Sequence, residues 1–143
     1  MTYSIQLTDT ADDACRNAIA SALVSYNAAR TGRHDVRPLI LRVDDDQGQV
    51  IGGLCGRTSF DWLFVELLIV PESLRGRGVG TELMRRAESE AIARGCRNAW
   101  LDTFEFQARG FYERLGYTCF GELPDYPPGF ARYFMRKALT PSV

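Results

Sequence analysis

Gly76, Gly78 and Gly80 stand between Arg75 and a helix-forming run, at the end of the apolar stretch WLFVELLIV. The order reads as a buried strand, a loop and a helix, and glycines at that corner let backbone N–H groups close around a ligand that side chains would exclude. Donors crowded at a helix start suit an anion, a phosphate in particular. A Walker loop would need GK[ST] at its end, but Gly80 is followed by Thr81 and Glu82, so neither the phosphate-reaching Lys nor the magnesium hydroxyl is in place. A dinucleotide fingerprint would need GxGxxG, whereas these glycines fall as GxGxG. A tight corner with no ligand is the plain alternative. Two further side chains could do proton chemistry. Glu66 is the one charge in the apolar run, and burial would raise its pKa towards a useful general-base value unless it is paired or hydrated. Tyr112, within FQARGFYERLGY at residues 106 to 117, is a phenol able to donate a proton, or else a half-buried aromatic on a short helix.

Arg75, Gly78 and Gly80 match in full the Arg/Gln-x-x-Gly-x-Gly/Ala loop of the GNAT superfamily, the acetyl-CoA-dependent N-acetyltransferases. Ala108, Tyr112, Gly116 and Tyr117 fall where a second motif of that superfamily has its Ala, Tyr and Gly-aromatic pair. The chain resembles the superfamily over roughly residues 50 to 138. The resemblance implies acetyl-CoA as acyl donor, its pyrophosphate cradled by the amides of Gly76, Arg77, Gly78, Val79, Gly80 and Thr81. Arg75 or Arg77 would add charge, and the backbone of Ile69 and Val70 would pair with the pantetheine arm like an added strand. Tyr112 is the position of the general acid that protonates departing CoA. Where the superfamily often has an Asn, this chain has Glu105, with Gln107 as a substitute nearby.

The elements that must position these groups follow from periodicity and turn chemistry. YSIQL reads as a first strand, and Thr10 with Asp13 as the start of an amphipathic helix to about Ala29, its apolar face carrying Ala14, Ala18, Ile19, Ala22, Leu23 and Tyr26. LILRV and VIGGLCGR form a hairpin across DDDQGQ, and Gly52 and Gly53 suggest a bulge or a close neighbour. Residues 62 to 70, apolar on both faces, should form a central strand covered above and below, with Glu66 sharing a face with Leu68 and Val70. A helix from about Gly80 to Arg94 stops at Gly95; NAWLDTF, a short helix GFYERLG, YTCFGEL and ARYFMRKAL follow. The expected fold is a single α/β (α+β) domain over residues 1 to 143, of GNAT type, with a mixed, mostly antiparallel seven-stranded sheet flanked by helices.

The loop from Glu122 to Phe130 joins the last two strands. Pro127 and Pro128 hold Tyr126 and Phe130 in fixed directions, and Glu122 and Asp125 add charge. Such a rigid aromatic edge suits a cation with an apolar body. A stiff hairpin connection is the alternative.

Composition limits the partners. With 143 residues, 45% hydrophobic and 24% charged, the chain can bury a core without disulfides or a structural metal. A net charge of −1 gives no basic field for a nucleic-acid backbone. Cys15, Cys55, Cys96 and Cys119 are scattered and His34 is the one histidine, so no metal-ligand spacing is present. No apolar segment reaches membrane-spanning length, and no basic-then-apolar leader is seen, so the expected residence is cytoplasmic, away from membranes. The expected activity is transfer of an acetyl group from acetyl-CoA to an amine, a small cationic molecule by the acidic character of the cleft. A protein N-terminus or lysine as acceptor, and a non-catalytic acyl-CoA-binding sensor, are the alternatives. The seventh strand, if exposed, would offer an edge to a second copy and form a homodimer.

Overall fold

The structure, a computed structural model, describes residues 1 to 140. It consists of two compact units, Met1–His34 and the remainder from Asp35 onward.

In the first unit, residues 1 to 9 form no regular element, so the expected first strand at YSIQL is not formed. A strand is completed only by a partner along its edge, and alternation of Tyr3, Ile5 and Leu7 specifies a face without supplying that partner. Helix α1 spans Asp13–Thr31. Its N-cap is Asp12, not the expected Thr10: Asp12 Oδ1 accepts from the amides of Ala14 at 3.0 Å and Cys15 at 3.2 Å, satisfying two of the donors a helix start leaves open. Gly32 ends it in a left-handed conformation, its N–H donating to the Ala28 carbonyl. None of its residues is buried.

The second unit is a six-stranded sheet with two helices. Strands β1 (Arg37–Asp44), β2 (Val50–Ser59) and β3 (Trp62–Ile69) form an antiparallel meander. Helix α2 (Val79–Ala93) crosses over to β4 (Asn98–Phe104), which lies parallel to β3. Helix α3 (Arg109–Arg114) leads to β5 (Thr118–Leu123) and β6 (Arg132–Ala138), and the sheet order is β1-β2-β3-β4-β6-β5. The strand expected as an exposed seventh is therefore β6, enclosed between β4 and β5, and offers no edge; the edges are β1 and β5. The chain after β5 turns back to pair with β4, and no local pattern reveals that order.

The Asp-rich turn forms as its chemistry suggests, with Asp45 Oδ1 accepting from the amides of Gln47 and Gln49 at 2.8 and 2.9 Å. The expected close neighbours of Gly52 and Gly53 are also present. A Cβ on Gly52 would stand 2.7 Å from the Ile69 carbonyl oxygen, and one on Gly53 would collide with the Leu41 carbonyl.

One sheet face makes the core. Leu39, Leu54, Leu63, Val65, Ala99, Leu101 and Met135 pack there against Leu83, Met84, Ala87 and Ala91 of α2 and Tyr112 and Tyr117. β3 is central in the sheet, but the expectation that it is covered on both faces fails: Leu63 and Val65 are buried, whereas Leu67 and Ile69 are 60% and 58% exposed. Glu88 of α2 ties the helix to the far strands, accepting from Tyr117 Oη at 2.8 Å and pairing with Lys137 Nζ at 2.7 Å. Because Leu101 is 1% exposed in this core, Leu101→Ala is expected to lower unfolding free energy by about 2–5 kcal/mol. Urea denaturation checks this.

Candidate active site

The site begins where two parallel strands part. β3 and β4 pair only from Trp62 with Asn98 to Val65 with Leu101. Beyond that, Leu67 to Ile69 keep β2 as neighbour and Asp102 to Phe104 keep β6, so a wedge opens between the carboxyl ends of β3 and β4. Backbone N–H and C=O groups along its walls are strand groups without a ladder partner across the wedge, able to take an extended ligand as they would another strand.

A bulge helps open it. The β2–β3 register shifts between Cys55 and Gly56, with Gly56 opposite Val65 and Cys55 opposite Leu67, so Glu66 is the extra residue. Val65 is buried and Leu68 packs against the core, three positions apart, so the strict alternation that would put Glu66 on a face with Leu68 and Val70 is broken there. Glu66 is exposed rather than buried, its side chain 56% accessible, and sits 3.8 Å from Arg57 across the strands. Of the alternatives weighed for this carboxylate, pairing and hydration are what the fold provides.

Past Ile69 the chain makes one 3₁₀ turn, Glu72–Leu74, and then the glycine loop. Arg75 Nε donates to the Val70 carbonyl at 3.2 Å, so this guanidinium braces the loop and occupies an acceptor at the strand end. Gly78 is the N-cap of α2 at φ 75°, with no side-chain cap. The first-turn amides of α2 thus keep their donors, and the helix dipole adds partial positive charge at the same place. Space above Gly76 and Gly78 is open, with no atom within 4 Å of where a Cβ would stand. A groove of about 690 Å³ starts at Gly78 and Thr81 and continues along α2 past Arg85, Arg86 and Glu90, with Arg86 paired to Glu82 at 2.9 Å. Open donors, open space and nearby cations fit a pyrophosphate.

Gly80, Val70 and α3 meet at one point. A Cβ on Gly80 would lie 3.3 Å from Phe111 Cζ and 3.5 Å from Val70 Cγ2. Phe111 in turn stands edge-on to Tyr112, ring centroids 5.1 Å apart. The glycine loop, the end of β3 and the residue next to Tyr112 are thereby brought together. Burial pushes the Tyr112 phenol up to about 12, and the charge of Asp102 adds to the rise. Tyr117, by contrast, is fastened to Glu88, with burial again the first cause of a strong upward shift.

The β5–β6 loop lies at the same end of the sheet, since β6 starts with Arg132 opposite Phe104. Tyr126 stacks near Phe104 at 5.8 Å, Phe104 on Phe106 at 5.3 Å, and Phe106 meets Phe130 edge-on at 5.2 Å. Tyr126 and Phe130 stay 46% and 42% exposed. Asp125 has φ 53° and accepts from the Gly129 amide at 3.4 Å, a turn role. Glu122 sits on β5 opposite Tyr133, apart from the ring contacts. No motif along the chain singles out Asp102 or Arg132. Arg132 binds Asp102 through Nη2 at 2.7 Å and Nε at 2.9 Å, and stacks over Tyr126 at 4.8 Å and Phe104 at 5.3 Å. Their partnership spans β4 and β6, and only strand order could reveal it. Glu105 binds β6, accepting from the Ala131 amide at 3.3 Å and Tyr133 Oη at 3.4 Å. Gln107 Oε1 accepts from the Phe104 amide at 3.0 Å and caps the turn after β4.

Known proteins are similar to this chain in sequence and in fold. Acetyltransferase Atu2258 of Agrobacterium fabrum is 45% identical over 117 residues, 82% of this chain and 85% of that protein. Blasticidin-S acetyltransferase of Streptomyces morookaense is 40% identical over 114 residues, 77% of this chain and 84% of that protein. A crystal structure of an acetyltransferase from Agrobacterium tumefaciens superposes with a TM-score of 0.89 at 40% identity, covering 95% of this chain and 99% of that one. The sequence profile described as the acetyltransferase (GNAT) family matches residues 6–117, and the chain belongs to that family.

Proposed function

We propose that the protein transfers the acetyl group of acetyl-CoA to a small amine in a ternary complex, with the thioester in the wedge between β3 and β4. The observation that carries this reading is the end of β3–β4 pairing at Val65 and Leu101, directly before a glycine loop whose donors are open. The amides of Gly76 to Thr81 hold the pyrophosphate, aided by Arg77. Ile69 and Val70 offer backbone groups to the pantetheine arm, within the limit that Arg75 already takes the Val70 carbonyl.

An ammonium has no lone pair, so the acceptor loses a proton before attack. Glu66, exposed at the bulge beside Arg57, takes that proton directly or through water. The amine nitrogen then bonds to the acetyl carbon and the C–S bond breaks. Tyr112 gives its proton to the departing thiolate, and the second proton shed by the acetylated nitrogen returns to the phenolate through solvent; a phenol held up to about 12 is protonated throughout the neutral range and available as the acid. Glu66→Gln keeps the shape and removes the base. The acidic limb of the kcat/KM profile is expected to shift or vanish in that variant, and an identical profile would leave Glu66 a structural charge.

For the acceptor, support comes from the exposed aromatic edge at the wedge end of the sheet and from a 40% identical relative named for blasticidin S. Tyr126 and Phe130 form an acceptor wall with Asp125 and Glu122 on the same stretch, one face of Tyr126 already taken by Arg132. Tyr126→Ala and Asp125→Asn should raise the acceptor KM several-fold and leave that for acetyl-CoA unchanged, read by steady-state kinetics. The function as a whole is tested by thiol release from acetyl-CoA across a panel of small amines, peptides with free N-termini and lysine peptides. Release with small amines is expected; release with peptides alone, or none, contradicts the reading.

A further inference from the structure

Asp102 stands at the vertex of the wedge, the first residue of β4 past its last pair with β3. Arg132, at the start of β6, reaches it from the neighbouring strand. Nη2 and Nε of Arg132 both donate to Asp102 Oδ1, at 2.7 and 2.9 Å. Two bonds from one edge of a planar group fix its plane, and with the two side chains 24% and 18% accessible the charge pair is little screened. The guanidinium carbon lies 4.8 Å from the Tyr126 ring centroid, 5.3 Å from that of Phe104 and 5.5 Å from that of Phe134. One cation thus joins β4, β6 and the loop between β5 and β6. That loop is otherwise bonded to itself. The Tyr126 amide donates to the Phe130 carbonyl at 2.8 Å, the Phe130 amide to the Pro127 carbonyl at 2.9 Å and the Gly129 amide to Asp125 at 3.4 Å. Such bonds make the tip a unit without setting where the unit sits. Between Pro124 and Phe130, the bonds and ring contacts that reach the rest of the described chain are Tyr126 on Phe104, Phe130 on Phe106, and the Arg132 cation over Tyr126. Of these, the cation alone is itself held in place by hydrogen bonds.

We propose that Arg132 is a positioning residue for the acceptor amine: with its plane fixed by Asp102, it holds the Tyr126 ring, and the loop tip with it, where that ring forms the acceptor wall. This rests on the reading of Tyr126 as part of that wall. Arg132 acts through Tyr126 and does not touch the reacting atoms. Its loss therefore weakens the hold on the acceptor and leaves the donor site at Gly76 to Thr81 as it was.

Arg132→Met keeps an extended side chain and removes the charge and the planar fork. NOEs between the Tyr126 and Phe104 rings, expected in wild type from their 5.8 Å separation, should be lost in the variant, while the amide signals of Gly76 to Thr81 stay in place. In steady-state kinetics with the fastest acceptor of the thiol-release panel, the acceptor KM should rise several-fold, by more than any fall in kcat, with the calorimetric affinity for acetyl-CoA unchanged. A double-mutant cycle separates positioning from loss of stability. Added to Tyr126→Ala, Arg132→Met should raise KM no further, because both act through one ring. Should the lone Asp102 carboxylate prevent folding, Asp102→Asn with Arg132→Met removes both charges and carries the same expectations. NOEs that persist without Arg132, an unchanged acceptor KM, or effects that add to those of Tyr126→Ala would overturn the inference. If Tyr126→Ala alone leaves the acceptor KM unchanged, the reading of the wall fails and takes this inference with it; a raised KM there beside an unchanged one in Arg132→Met sinks the inference alone.

Discussion

Gly78→Val is expected to abolish acetyl-CoA binding in a protein that still folds. Gly78 caps α2 at φ 75°, a backbone conformation that Val adopts at a cost of about 1–3 kcal/mol. Domains of this kind are stable by about 5–15 kcal/mol, and an added Cβ meets no atom within 4 Å, so the unit should survive with a lowered Tm. The new methyl groups would stand in the open space above the loop, where the pyrophosphate must come against the amides of Gly78 to Thr81. Isothermal titration calorimetry of the folded variant decides. Unchanged affinity would mean that the loop is a tight corner and not a phosphate site.

Tyr112→Phe carries the second large effect. The substitution removes one hydroxyl from a residue 8% exposed and leaves its contacts with Phe111 and Tyr117, so acetyl-CoA affinity should hold. General acid catalysis is typically worth ~100-fold to ~10,000-fold, and kcat should fall within that range. The sign of the pH dependence follows from the upward shift. A phenol raised to about 12 keeps its proton at every pH below that, so wild type should show no alkaline limb from Tyr112 in the assay range. The loss in the variant should therefore be the same at pH 6 and pH 9. A wild-type rate under conditions where chemistry limits would make Tyr112 a packing residue.

Features written in local chemistry were legible in the sequence. The Gly spacing marks the loop and the start of α2, Gly95 marks its stop, and NAWLDTF spans the whole of β4, Asn98–Phe104. Features that depend on neighbours in space were not. The alternation of residues 3 to 7 names a strand that has no partner in the described chain. An apolar run such as WLFVELLIV looks double-faced, but a bulge opposite Cys55 and Gly56 puts Glu66 out of step and leaves Leu67 and Ile69 exposed. The apolar run leaves Glu66 open between burial and pairing or hydration, and the neighbour that decides, Arg57, stands on another strand. The return of β6 between β4 and β5 likewise decides which residues surround the wedge. It sets Arg132 against Asp102 and Tyr126, a cluster that no spacing along the chain announces.

The central claim is the place of acetyl-CoA, in the wedge after Val65 and against the loop before α2. Titration of the isotope-labelled protein with acetyl-CoA, followed by backbone amide NMR, tests it without any acceptor and without turnover. The account predicts saturable shifts, largest at Ile69, Val70 and Gly76 to Thr81, with smaller ones at Phe111 and Tyr112. Saturation with the largest shifts elsewhere, or no saturable change at these amides, would contradict it.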